Sequence, residues 1–227
     1  MPLQTSIECV LFDLDGTLVD TAPDFVKVMA RLRAEDDMQP LETDLIYQTV
    51  SDGARALVKL AFAIDEDHER FEPLRMRLLD LYEEQLQTTE ASLYPGMEAL
   101  LKELDEQNIP WGIVTNKPEK YTRLLLDGLS LLARCRALVC PEQVKERKPN
   151  PEAIFLACKL LERETERTVY IGDHLRDVQA AKAADVIAVA APYGYVASNV
   201  RVEEWNADFI LHNPEQTTEL LNLLKFA

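Results

Sequence analysis

A chain of 227 residues with 47% apolar content is long enough for one sizeable domain plus an inserted smaller one around a packed core. Its 24 basic and 40 acidic residues leave a formal charge of −16, which repels a nucleic-acid backbone or an anionic membrane surface. Neither is expected as a partner, and an anionic ligand must be met by cations gathered locally.

The opening stretch MPLQTSIE has no basic region followed by a long apolar run, and no segment approaches the ~20 apolar residues of a membrane span. A cytoplasmic location is therefore expected. The four cysteines, Cys9, Cys135, Cys140 and Cys158, show no CxxC spacing and sit in apolar contexts, so they read as reduced core thiols.

In chain order, the apolar run 7–12 reads as a buried strand that ends on Asp13 and Asp15, with Gly16 letting the chain turn away. Period-two alternation would point both carboxylates to one side, where their repulsion is tolerated only if a cation or a reaction uses them. Between residues 20 and 89 no strand is expected. Pro23 suits the first turn of one helix, and helical patterns follow over 44–50, 54–62 and 67–87. Leu93-Tyr94-Pro95-Gly96 signals a turn before a helix with Met97, Leu100, Leu101 and Leu104 on one face. Further strands are expected at 111–115, 137–140, 169–171, 186–190 and 209–211, separated by helices such as the one carrying Ile154, Phe155, Cys158 and Leu161. Strands spaced this way by helices imply right-handed crossovers and a doubly wound parallel α/β sheet.

Ligands of such sheets bind beyond the carboxyl ends of the strands. There the first strand delivers Asp13 and Asp15, and the second Thr115, Asn116 and Lys117. The loop after the third carries Lys145, Arg147 and Lys148, with Lys148 held extended before Pro149. The fourth strand adds Asp173, His174, Arg176 and Asp177. An oxygen-rich acidic pocket suits Mg²⁺, and the surrounding donors and cations suit a phosphoryl group. His68 and His212 have no Cys or His neighbour at ligand spacing, so zinc is not expected. Trp111 and Trp205 read as packing residues, as do the tyrosines of Tyr193-Gly194-Tyr195, which are also placed to line an interface with the helical interval.

DLDGT, VTN, the lysine of KPNP and GDHLRD, in that order and at those strand ends, resemble the four motifs of the haloacid dehalogenase superfamily over the whole chain. DGTLVDTAPDF, SDGARALV, WGIVTNKP and LVCPEQVKERKPNPE resemble its phosphoglycolate phosphatase branch, and within it the N-acetylmuramic acid 6-phosphate phosphatases of peptidoglycan recycling. The resemblance implies a Rossmann-like core of residues 1–19 and 90–227 with an inserted all-helical cap over 20–89. It implies a Mg²⁺-dependent phosphatase of carbohydrate metabolism acting on a small carboxylate-bearing phosphomonoester, N-acetylmuramic acid 6-phosphate ahead of 2-phosphoglycolate. A sugar-phosphate mutase or a catalytically silent metabolite sensor are the alternatives.

By the same resemblance, Asp13 is the nucleophile that forms an aspartyl-phosphate and Asp15 the acid and base. Lys148 neutralises the phosphoryl oxygens, and Thr115 and Asn116 hold the group in line. Metal ligation is implied for Asp13, the backbone carbonyl of Asp15, and Asp173, with Asp177 a ligand or its partner. Lys117 and, in the helical insert, Gly53 and Arg55 are candidates for contacting substrate, Arg55 by pairing with the substrate's carboxylate; Lys145 and Arg147 read as a solvated face. Two positions depart from the family pattern. His174 follows Asp173 where a small polar or acidic residue is usual, its ring able to hydrogen-bond a metal-bound water. Ala184-Asp185 stands where Gly commonly ends the helix, and Asp185 reads as a left-handed cap.

Overall fold

The computed structural model describes residues 7–197 and 199–223, so the reading of the first six residues lies outside it. Six parallel strands form the main sheet: β1 (Cys9–Phe12), β4 (Trp111–Val114), β5 (Ala137–Val139), β6 (Thr168–Gly172), β7 (Ile187–Ala190) and β8 (Phe209–Ile210), in the order β5-β4-β1-β6-β7-β8. A short antiparallel pair, β2 (Val19–Asp20) with β3 (Ser92–Leu93), was not foreseen and ties together the two ends of the helical interval. Two residues each way bury too little to leave a period-two signal.

Alternation along the buried strands divides the core by face. Val10, Phe12, Trp111 and Ile113 pack toward α5 (Met97–Glu106) and α6 (Glu119–Gly128). Cys9 and Leu11 face the opposite side, against Ile154 and Cys158 of α7 (Glu152–Leu161) and Val178 of α8 (Leu175–Ala183). The doubly wound expectation therefore holds. Trp111 is fully buried and donates from Nε1 to Asp105 Oδ1 at 2.9 Å. Cys9, Cys140 and Cys158 are buried free thiols, and burial pushes Cys9 and Cys140 up to about 12.

Within the interval stand α1 (Ala22–Ala34), α2 (Thr43–Val50), α3 (Gly53–Phe62) and α4 (Phe71–Leu86). The last begins later than the expected residue 67, because Pro73 has no amide to donate and is accommodated only in a first turn. Asp185 takes φ +55° after α8, the left-handed conformation its position suggested. The Lys148–Pro149 peptide is cis, which the extended reading of that step had not foreseen.

Candidate active site

β1 lies between β4 and β6, so the chain switches winding direction there and the loops after these strands diverge to leave a cleft. The cleft, of about 650 Å³, is lined by Asp13, Asp15, Thr115, Asn116, Lys117 and Lys148 from the core and by Gly53 and Arg55 from the helical interval. Every one of these predicted residues thus converges on one space. Asp173 and Asp177 join from β6 and α8. Carboxylate oxygens of Asp13, Asp173 and Asp177 all lie within 4.8 Å of one another.

Lys148 organises this acidic group. Its side chain is fully buried, with Nζ 2.9 Å from Asp13 Oδ1 and 2.8 Å from Asp177 Oδ1. Nζ also donates to the Val114 carbonyl at 2.9 Å and to the Tyr170 hydroxyl at 2.7 Å. Burial alone would strip its proton, but Asp13 and Asp177 more than offset that and hold the ammonium above its ordinary pKa. Asp13 Oδ1 further accepts from the Leu14 amide at 2.7 Å, while Oδ2 carries no protein hydrogen bond among the described residues. Burial pushes Asp13 up to about 6 against the pull of Lys148, with Asp177 adding to the rise. Asp173 rises to about 8, by burial first and then by the charges of Asp13 and Asp177.

Those two shifts mark a site short of positive charge. Asp173 Oδ2 accepts from the Ser51 hydroxyl and the Tyr195 amide, both at 3.0 Å, yet its buried Oδ1 has no partner among the described residues. A buried carboxylate oxygen with nothing to bond, among three carboxylates and one lysine, fits a divalent cation with hard oxygen ligands. The close quarters explain Gly16 as well. It sits at φ +80°, and a Cβ there would overlap the Asp173 carboxylate.

Asp15 departs from the period-two reading. The strand stops at Phe12, and the Asp15 carboxylate lies apart from the acidic group, accepting at Oδ1 from Thr21 Oγ1 at 2.6 Å and from Lys117 Nζ at 2.8 Å. The like-charge crowding is therefore between Asp13, Asp173 and Asp177, residues remote in sequence. Asn116 donates to the Lys148 carbonyl at 3.1 Å, bracing the lysine loop, and the Thr115 hydroxyl accepts from the Lys117 amide at 3.1 Å. Arg55 lines the cleft with its guanidinium 2.6 Å from Glu66 and over the Phe71 ring. His174 caps α8, its Nδ1 accepting from the Arg176 amide at 3.2 Å, and turns Nε2 toward Asp52 at 3.5 Å. Asp177 completes that cap by accepting from the His174 amide at 3.0 Å.

Sequence reasoning missed the contacts that the helical interval makes with the core. Ser51 reaches Asp173, and Arg176 donates to the Ser51 carbonyl. Phe25, Arg75 and Tyr82 line the cleft, as does Arg147, read from sequence as solvated. No local signal marks them, since their roles arise from helices folding back over the strand ends. The Tyr195 hydroxyl accepts from the Thr21 and Ala22 amides at 2.5 and 2.8 Å and donates to Asp20 at 2.7 Å, fixing the start of α1.

Residues 10–191 match the family model described as haloacid dehalogenase-like hydrolase. The chain belongs to the haloacid dehalogenase-like hydrolase family. An N-acetylmuramic acid 6-phosphate phosphatase of Pseudomonas putida is 36% identical over 95% of this chain and 96% of its own length. A phosphoglycolate phosphatase of Xanthomonas campestris pv. campestris is 37% identical over 92% and 94%. The fold is shared with the crystal structure of a predicted phosphoglycolate phosphatase from Haemophilus somnus, at a TM-score of 0.83 and 23% identity, covering 96% of this chain and 99% of that one. Among the described residues no helix is long and apolar enough to cross a membrane.

Proposed function

We propose that the protein is a Mg²⁺-dependent phosphatase that hydrolyses N-acetylmuramic acid 6-phosphate through an aspartyl-phosphate on Asp13. The observation that carries the chemistry is the buried Lys148 between Asp13 and Asp177, beside the unpartnered Asp173 oxygen. Mg²⁺ would be held by Asp13, the Asp15 backbone carbonyl and Asp173, with Asp177 its ligand or neighbour, and when bound it supplies charge neutralisation for an anionic nucleophile meeting an anionic phosphate.

The protein's own residues account for the rest. Leu14 and Lys148 hold Asp13 Oδ1, which leaves Oδ2 to attack phosphorus. As that bond forms the ester P–O bond breaks, and Asp15 gives its proton to the leaving oxygen. Water then attacks the same phosphorus, Asp15 takes its proton, and the Asp13 acyl–phosphate bond opens to release inorganic phosphate. The Lys148 ammonium faces the transferring oxygens, the Thr115 hydroxyl donates to one of them, and Asn116 keeps the lysine loop in register. Catalysis here is positioning and electrostatics, as phosphoryl transfer requires.

Residues 20–89 act as a cap that closes the cleft and excludes bulk water. The cleft volume of about 650 Å³ suits a sugar phosphate better than the much smaller phosphoglycolate. Phosphoglycolate remains the second reading, favoured by the Xanthomonas relative's 37% identity. Initial rates on N-acetylmuramic acid 6-phosphate, 2-phosphoglycolate and glucose 6-phosphate decide between them: kcat/KM should favour the first by at least about tenfold. Comparable values on all three defeat the substrate assignment, and activity surviving in Asp13→Asn defeats the mechanism.

A further inference from the structure

We propose that Lys117 is the positioning residue for Asp15, tying the aim of the proton-transferring carboxylate to the seating of the cap. The inference rests on the phosphatase reading above and gives Lys117 a role other than the substrate contact that the sequence suggests. The two side chains are 7% and 15% exposed, so their 2.8 Å contact is largely shielded from water. A buried ammonium needs compensation. Lys117 finds it in Asp15 and in two aromatic faces from the cap, Tyr82 with its centroid 4.6 Å from Nζ and Phe25 at 5.3 Å. Those rings stack on each other at 4.4 Å, joining α1 to α4.

Lys117 therefore spans two bodies. Its backbone amide is fixed in the core by Thr115 at 3.1 Å, while its ammonium lies against cap rings. Its ammonium and the Thr21 hydroxyl both hold Asp15 Oδ1, at 2.8 and 2.6 Å, which sets the carboxylate's rotamer and leaves Oδ2 without a protein hydrogen bond among the described residues. That free oxygen is the one able to carry the proton to the leaving group. A displaced cap withdraws the aromatic faces and with them part of what keeps the ammonium in place.

Leaving-group dependence separates this role from a structural or substrate-binding one. Formation of the aspartyl-phosphate, which kcat/KM reports, needs an acid for a sugar alkoxide but not for p-nitrophenolate. The full chain is assayed with N-acetylmuramic acid 6-phosphate and p-nitrophenyl phosphate as wild type, Lys117→Met, Lys117→Arg, Thr21→Val and Asp15→Asn. Lys117→Met should lower kcat/KM on the sugar phosphate about 100-fold and on p-nitrophenyl phosphate less than about fivefold, the low end of general-acid contributions. Asp15→Asn should show the same selectivity more strongly, Lys117→Arg should recover part of the loss, and Thr21→Val, which keeps the volume, should share its direction even if Lys117→Met misfolds. Equal losses on both substrates in Lys117→Met and Thr21→Val overturn the positioning role. An inactive wild type on both substrates overturns instead the phosphatase reading and this role with it.

Discussion

Single side chains at this site work against their own ionisation. Asp13 and Asp173 titrate in the folded state at about 6 and about 8, well above the ordinary carboxylate of about 4. The folded, metal-free protein thus holds protons that the unfolded chain has already released. Their contribution to stability is fully present below about pH 4 and is lost as pH rises toward about 8. In differential scanning calorimetry of metal-free protein, the melting temperature of wild type should fall relative to Asp173→Asn across that window. Added Mg²⁺ should raise the wild-type value more at pH 8 than at pH 5, where protons compete for the same oxygens. A pH-independent difference between the two proteins would show that Asp173 ionises freely.

At the scale of elements, one buried carboxylate adds a polar tie between α1, α4 and the segment that follows α4, beside the apolar packing of those helices. Asp24, in the first turn of α1, accepts at Oδ1 from Gln85 of α4 at 3.0 Å and from the Glu90 amide at 2.8 Å, and at Oδ2 from Thr89. Removing it takes an acceptor from the buried Gln85 amide, which keeps only the Thr88 carbonyl at 3.3 Å, and from the part-buried Thr89 hydroxyl and the Glu90 amide, so Asp24→Ala should destabilise the protein by roughly 2 kcal/mol. Urea unfolding followed by circular dichroism measures this as a lower midpoint at unchanged slope. The helices themselves were legible from the spacing of their apolar residues, and Pro73 marks where the fourth begins. The pair β2 with β3 was not, because its strands are ordered by meeting each other and not by any face they bury.

Across the whole molecule, a chain of charge −16 concentrates its cations where an anion must bind. Lys148 and Lys117 occupy the floor of the cleft, and Arg55, Arg75, Arg147 and Arg176 its walls. Arg55 is half-exposed and shared with Glu66, so its effect on a substrate carboxylate is that of a solvent-screened pair. Arg55→Gln should raise KM for N-acetylmuramic acid 6-phosphate about fivefold and leave p-nitrophenyl phosphate within about twofold. Steady-state kinetics on both substrates check this, and an unchanged KM on the sugar phosphate removes Arg55 from substrate recognition.

Four short motifs at successive strand ends were enough to name the family and to send Asp13, Lys148 and Asp173 toward one cleft, because in a parallel sheet the position of a residue just past a strand dictates which cleft it enters. Chain order could not say which carboxylates would crowd together. Asp13 and Asp15 are neighbours in the chain but their carboxylates take different partners, whereas Asp13 and Asp173 bring carboxylate oxygens within 4.8 Å of each other. The partners of Lys117 were equally hidden, since Phe25 and Tyr82 reach it only once two helices pack and fold back over the strand ends. Local pattern sets which element forms and where it ends, and long-range packing sets which charges are buried together.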